Sequence, residues 1–249
     1  MFAKDFKIRY YEIDSQRTAT PVSLLNFMVE TAICHSEAAE CGLDVLHSLG
    51  TAWVLARWSI DILRYPLWGE RIKVETQPTR SDRFYAWREY SIKNSGGECL
   101  VKASSLWIYI NLGKRRPSKV PAEFMERFGA NHSEEQQCSF DLLTGPGEDG
   151  SIYPFHVRRG DIDTNNHVFN SQYLGWFLEA VPEEIHANQY LSSLQLDYRK
   201  EIKLGLQIIS KAKSSTDSDT NHTIVDHCIL SADEQTTHAV ARTFWKPRL

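Results

Sequence analysis

Residues 158 to 170 read Arg158-Arg159-Gly160-Asp161-Ile162-Asp163-Thr164-Asn165-Asn166-His167-Val168-Phe169-Asn170, which puts two carboxylates, three amides and an imidazole into one turn. Asp and Asn suit turns and caps, so a capping loop with a chance histidine explains part of this pattern, and Asp161 is read as such a cap. The spacing adds a second reading. Asp163, Asn165 and His167 are two residues apart, and in an extended loop that interval points all three side chains to one side. A helix expected directly after the loop would offer unpaired amides and a positive dipole end to a developing oxyanion.

The elements that must hold this loop occur twice. At an offset of 149, Glu12 to Thr18 lies over Asp161 to His167, and Leu25, Phe27, Met28 and Glu30 meet Leu174, Trp176, Phe177 and Glu179. At an offset of 136, Asp61, Gly69, Ile72 and Ala103 meet Asp197, Gly205, Ile208 and Ala239. This pattern predicts a tandem duplication of a unit of about 110 residues.

Each unit opens with an acidic turn and a helix. In the second, Tyr173, Trp176, Phe177 and Ala180 form one apolar stripe, with Asn170 or Ser171 as cap and Pro182 past the end. In the first, Thr20 and Pro21 start the helix, and Val22, Leu25, Val29 and Ile33 continue it. Strand-like runs follow at 71–77, 84–93 and 98–110, answered by 206–211, 223–230 and 239–245, with a hairpin turn at Asn94-Ser95-Gly96-Gly97. One helix followed by antiparallel strands is an α+β unit. The expected organisation is 1–120, a linker at 121–151 with one short helix near 122–128, and 152–249.

The 249 residues are 42% apolar and 24% charged, which excludes disordered, collagen-like and coiled-coil classes. No apolar stretch of about 20 residues is present to cross a bilayer, and the first residues lack the apolar core of a signal peptide. A net charge of −4 gives no global basic field for nucleic acid. Five cysteines without a CxxC pair fit neither a disulfide scaffold nor a zinc site. We therefore expect a cytoplasmic protein without metal or cofactor, and without nucleic-acid or membrane partners. The eight histidines other than His167, among them His35, His227 and His238, are read as structural or surface groups.

Residues 161 to 182, Asp-Ile-Asp-Thr-Asn-Asn-His-Val-Phe-Asn-Ser-Gln-Tyr-Leu-Gly-Trp-Phe-Leu-Glu-Ala-Val-Pro, resemble the signature of acyl-acyl carrier protein thioesterases, found in plant plastids and bacteria. Leu196-Asp197-Tyr198-Arg199-Lys200-Glu201 resembles a second segment of that family. The resemblance spans nearly the whole chain. It implies a tandem, or double, hotdog fold, each half a long helix wrapped by an antiparallel sheet. It also implies a catalytic group of Asp163, Asn165, His167 and Glu201, and hydrolysis of fatty acyl-acyl carrier protein to free fatty acid. Where the plant enzymes have a cysteine after the glutamate, this chain has Ile202, and the lack of a transit peptide fits a bacterial relative better.

At the same offsets Gln16 meets Asn165, Thr18 meets His167 and Tyr65 meets Glu201, so one active site per chain is expected, in the second half. The first half is then free to serve as acyl pocket. Its Trp53, Trp58, Trp68, Trp87 and Trp107 suit an apolar tunnel and ordinary core packing equally. Thioester hydrolysis with Glu201 or Asp163 as general base on water and a covalent route through a carboxylate both fit. The acyl carrier protein is the expected partner, with Arg158 and Arg159, or Lys114 to Arg116 with Lys119, as candidate docking groups. An acyl-coenzyme A thioesterase and a non-catalytic acyl-thioester binder are the rival readings, and a homodimer is expected by analogy.

Overall fold

The computed structural model describes residues 1–129, 140–147, 150–217 and 222–248. Cys138 and the central part of the expected linker lie outside them. The chain forms two compact units, Met1–Ser139 and Phe140–Leu249.

The first unit begins with β1 (Phe2–Lys7), a 3-10 turn and helix α1 (Pro21–Ala38). The Thr20 side chain accepts the Ser23 amide at 3.1 Å and Pro21 fills the first helical position, as expected. The buried stripe runs through Leu24, Met28, Thr31 and His35 rather than through Ile33, which is exposed. It includes a polar group because His35 Nδ1 lies 3.1 Å from Arg88 Nη1 of the sheet. A short helix α2 (Leu43–Ser48) leads to β2 (Thr51–Ile62), β3 (Arg71–Ser81), β4 (Tyr85–Asn94), β5 (Cys99–Asn111) and the two-residue β6 (Arg116–Pro117). The antiparallel order is β1-β3-β4-β5-β2, with β6 on β5. Helix α3 (Ala122–Arg127) follows, and its Phe124 and Met125 pack with Cys41, Leu46 and Tyr109. The hairpin at Asn94 forms with Gly97 at φ 84°, a value glycine adopts without strain.

The second unit repeats the plan with β7 (Ser151–His156), helix α4 (Asn170–Glu179), α5 (Glu183–Asn188), β8 (Gln189–Tyr198), β9 (Gln207–Thr216), β10 (Thr223–Ser231) and β11 (Thr237–Pro247). Its order is β8-β11-β10-β9-β7, all antiparallel. Helix α4 buries Tyr173, Leu174, Trp176 and Phe177. Burying such side chains contributes about 1.5–3 kcal/mol each and fixes the face the helix presents. The duplication is thus visible element by element, in the α+β form expected. Trp58 is fully buried, whereas Trp68 is 55% exposed and takes no part in the interior.

One detail of the repeat differs from the sequence match. The offset is 136 through the third strand but grows by one in each later hairpin. Ala103 pairs with Ile60 and Ala241 pairs with Leu196, so Ala103 answers Ala241 and not Ala239. The tryptophan contacts agree: Trp107 Nε1 donates to Ser105 Oγ at 2.7 Å, and Trp245 Nε1 to Thr243 Oγ1 at 2.9 Å.

Candidate active site

The loop from Ile162 to Val168 is a closed turn and not an extended segment. Ile162 and Val168 form an isolated bridge, the Asp163 amide donates to the His167 carbonyl at 2.7 Å, and Asn166 takes φ 62°. Asp163, Asn165 and His167 therefore do not line one side of an extended strand. Asp163 turns its carboxylate into its own loop, where Oδ1 accepts the amides of Asn165 at 2.8 Å and His167 at 3.0 Å. That is the Asx-type closure to which Asp is suited. Asn165 is exposed, and among the described residues its side chain makes no hydrogen bond. Before the loop, buried Asp161 accepts the Arg158 amide at 2.8 Å and the Arg158 guanidinium at 2.9 Å, a capping contact as expected.

His167 faces away from the loop. Its Nε2 lies 3.2 Å from Glu201 Oε2, and Lys203 Nζ lies 3.9 Å from the other oxygen. Both His167 and Glu201 are half-buried, open enough to meet a ligand. Two residues 34 positions apart are brought together because the following peptides bond: the Val168 amide donates to the Ile202 carbonyl at 3.0 Å. The structure thus joins His167 with Glu201, ties Asp163 to the amides of its own loop, and leaves Asn165 exposed.

Helix α4 starts beside this loop without a side-chain cap. The residue at the cap position is Phe169, not Asn170 or Ser171. In the first unit the same position is Thr20, which does cap. Phe169 is 45% exposed. An uncapped helix start carries donors and partial positive charge that favour an anion.

Sequence reasoning counted Tyr173 only as core. Its hydroxyl accepts the Ile202 amide at 3.1 Å, next to Glu201. Burial holds the phenol well above its ordinary range, and the charges of Glu201 and Asp163 push the same way. His238, read as structural, touches the same segment through Nδ1, 3.2 Å from the Lys200 carbonyl. Tyr173 stands where the first repeat has Leu24, a polar-for-apolar exchange visible in the sequence, whereas His238 answers Leu100 only through the strand pairing.

Among the described residues, no group of three or more His, Cys, Asp or Glu side chains is placed to hold a metal ion, and no helix is long and apolar enough to cross a membrane.

Against known proteins, residues 1–128 match the model of the acyl-ACP thioesterase N-terminal domain, and residues 145–247 that of the C-terminal domain. A chloroplastic palmitoyl-acyl carrier protein thioesterase of Gossypium hirsutum is 31% identical over 274 aligned residues, covering 100% of this chain and 64% of the relative. The chain spans 63–64% of the length of such curated relatives. The structure of the 12:0-ACP thioesterase from Umbellularia californica superposes with a TM-score of 0.88 at 26% identity, covering 99% and 94% of the two chains. A Lactobacillus plantarum protein described as an oleoyl thioesterase shares the fold, with a TM-score of 0.92 at 22% identity over 100% and 96%. The double hotdog fold is common to these structures and this one.

Proposed function

This chain belongs to the acyl-acyl carrier protein thioesterase family, and from that premise we propose that it hydrolyses the thioester of a fatty acyl-acyl carrier protein and releases free fatty acid. The observation that carries the reading is the His167–Glu201 pair at 3.2 Å, set beside an uncapped helix start.

In the proposed reaction Glu201 takes a proton from a water that attacks the thioester carbonyl carbon. A general base in this position contributes about 10²–10⁴-fold. His167 holds the carboxylate at Oε2 and so fixes its direction. The carbonyl oxygen gains negative charge as the C–O bond forms, and first-turn amides of α4 are the donors suited to it, at about 10²–10³-fold per donor. The C–S bond then breaks, and the thiolate leaves with little acid assistance because it is a good leaving group. Asp163 is assigned to the loop rather than to the proton transfer, since Oδ1 is already committed to two amides. Asn165, which is exposed, is assigned to positioning the thioester.

The first unit keeps the loop without the reactive groups, and we assign it to acyl binding. Arg158 and Arg159 precede the catalytic loop and are exposed cations suited to an acidic carrier protein. The cytoplasmic setting belongs to the same reading, supported by the free thiols Cys34, Cys41, Cys99 and Cys228. The homodimer rests on analogy alone.

The test is thiol release from carrier-protein thioesters of several acyl lengths, with the same acyl groups on coenzyme A in parallel. Release from the carrier form, lost about 10²–10⁴-fold in Glu201→Gln, is the expected result. Faster release from coenzyme A reassigns the partner. Tight acyl binding with no release from either moves the chain to the non-catalytic class.

A further inference from the structure

The duplication supplies an internal control for what the reactive half needs. The segment from Arg199 to Ile202 is held in both units by the same backbone bonds. In the second unit the amides of Arg199 and Lys200 donate to the His238 carbonyl at 2.8 and 3.0 Å; in the first, those of Leu63 and Arg64 donate to Leu100 at 2.9 and 3.1 Å. Likewise the Val168 amide reaches the Ile202 carbonyl, and the Ala19 amide the Pro66 carbonyl at 2.8 Å. These backbone bonds are common to both units, whereas the side chains around the turn differ: in the first, the Arg64 guanidinium donates to the Tyr65 carbonyl at 3.3 Å and Glu70 accepts the Leu67 amide at 2.8 Å.

The second unit has two side-chain contacts of its own, one on each side of Glu201. Before it, the His238 imidazole meets the Lys200 carbonyl at 3.2 Å; with a carbonyl as partner, Nδ1 carries the proton and donates. After it, the Ile202 amide donates to the Tyr173 hydroxyl at 3.1 Å. The matching positions in the first unit are Leu100, Leu24 and Pro66, which have neither a hydroxyl, an imidazole nor, for Pro66, an amide hydrogen. Tyr65, in the place of Glu201, is not flanked by these two groups, and its carbonyl is met by the Arg64 guanidinium instead. Both groups are costly to keep. Tyr173 is 3% and His238 4% exposed, and burying a polar group is unfavourable unless it is hydrogen-bonded. Tyr173 is itself wedged by Tyr198, ring to edge at 5.2 Å, whose hydroxyl donates to the Asn170 carbonyl at 2.8 Å.

We propose that Tyr173 and His238 are positioning residues that clamp the peptides flanking Glu201 and so aim its carboxylate at His167 and at the reacting water. They touch no substrate; they act through Glu201. The proposal rests on the hydrolase reading only for its kinetic arm.

Tyr173→Phe keeps the ring and deletes the acceptor; His238→Leu installs the residue of the other unit. Each is expected to lower kcat about 10- to 100-fold with KM nearly unchanged, the scale expected when a reacting group is misplaced by part of an ångström. A general structural defect is distinguished by a double-mutant cycle. In a Glu201→Gln background neither change should lower the residual rate further, because the group they aim is already gone. An equal fractional loss in both backgrounds overturns the proposal, as does an unchanged kcat in the wild-type background. The second arm needs no activity: a crystal structure of Tyr173→Phe should show the His167–Glu201 contact lengthened from 3.2 Å. An unmoved contact overturns the clamp, whereas failure of the wild-type chain to hydrolyse any thioester overturns the hydrolase reading and leaves this arm to decide the clamp alone.

Discussion

Arg17 and Asn166 stand 149 residues apart and both hold φ at 62°. Left-handed backbone is uncommon outside glycine, and Asn enters it more readily than Arg. The turns around them match bond for bond. The Arg17 amide donates to the Asp14 carbonyl at 3.0 Å, and the Asn166 amide to the Asp163 carbonyl at 3.1 Å. Asp14 Oδ1 accepts the amides of Gln16 and Thr18 at 2.9 and 3.1 Å, as Asp163 does for Asn165 and His167. A strained turn is thus maintained in a unit that lacks His167 and Glu201. The aspartate in each loop is there to build the turn.

That relationship fixes what Asp163 substitutions should do. Asp163→Asn keeps an acceptor oxygen for the two amides, so activity is expected to fall by less than about tenfold, under 1.4 kcal/mol in the barrier. Asp163→Ala deletes the acceptor and leaves two amides to water, each bond contributing about 0.5–1.5 kcal/mol. Its Tm and its kcat should fall together. A loss in Asp163→Asn as large as that in Glu201→Gln, with an unchanged Tm, would make Asp163 the base instead.

Helix α4 gives a second test, because the first unit shows what capping it looks like. Phe169→Thr copies Thr20 and offers a side-chain oxygen to the first-turn amides. A cap of this kind stabilises a helix by about 0.5–2 kcal/mol, so Tm should rise. If those amides receive the carbonyl oxygen in the reaction, kcat should fall as they become occupied. A higher Tm with unchanged kcat would remove the helix start from the mechanism.

Much of this arrangement was legible in the residues. The duplication, the α+β class and six strands followed from repeated spacings, since Gly69 and Gly205 and the apolar runs around them survive in both copies. What was not legible depends on distance or on backbone angle. The extended loop expected for residues 163 to 167 fails at Asn166, whose tolerance of positive φ was the available clue. Tyr173 fits an apolar helical stripe in every respect, and its hydroxyl is used by an amide 29 residues away. The buried face of α1 was misplaced because His35 counts as polar until Arg88, 53 residues on, becomes its partner. Strands β2 and β8 were missed because Thr51–Ile62 and Gln189–Tyr198 interleave buried and half-buried positions without clean alternation.

The two arginines before the catalytic loop should behave differently. Arg158 is bound through its amide and guanidinium to Asp161, which is 1% exposed, so Arg158→Glu removes the partner of a buried carboxylate. Its damage should appear as a lower Tm and equal losses on all substrates. Arg159 is exposed, and Arg159→Glu should raise KM about tenfold for carrier-bound substrate alone, consistent with a charge that steers an acidic partner. Equal KM changes with a small acyl thioester would exclude docking at this residue.

Two buried histidines contribute to the loss of stability in acid. Burial, with Arg88 adding to it, lowers His35 to about 4; burial, with His186 adding to it, lowers His227 to about 3. In the unfolded chain both titrate near 6.5. Between those values the unfolded state binds the protons and the folded state does not, so stability is full above about 6.5 and falls as pH drops toward 4 and 3. The slope approaches about 1.4 kcal/mol per pH unit for each group. His227 Nε2 lies 2.8 Å from Thr243 Oγ1, and His227→Gln keeps a hydrogen-bonding group there without a titrating one. Thermal or urea unfolding from pH 4 to 8 should therefore show a shallower acid loss in His227→Gln than in the parent, with the two curves parallel above pH 7. Parallel curves throughout would mean that His227 is protonated in the folded state or exposed to water, and that its burial under Phe177, at a ring separation of 5.4 Å, does not hold it neutral.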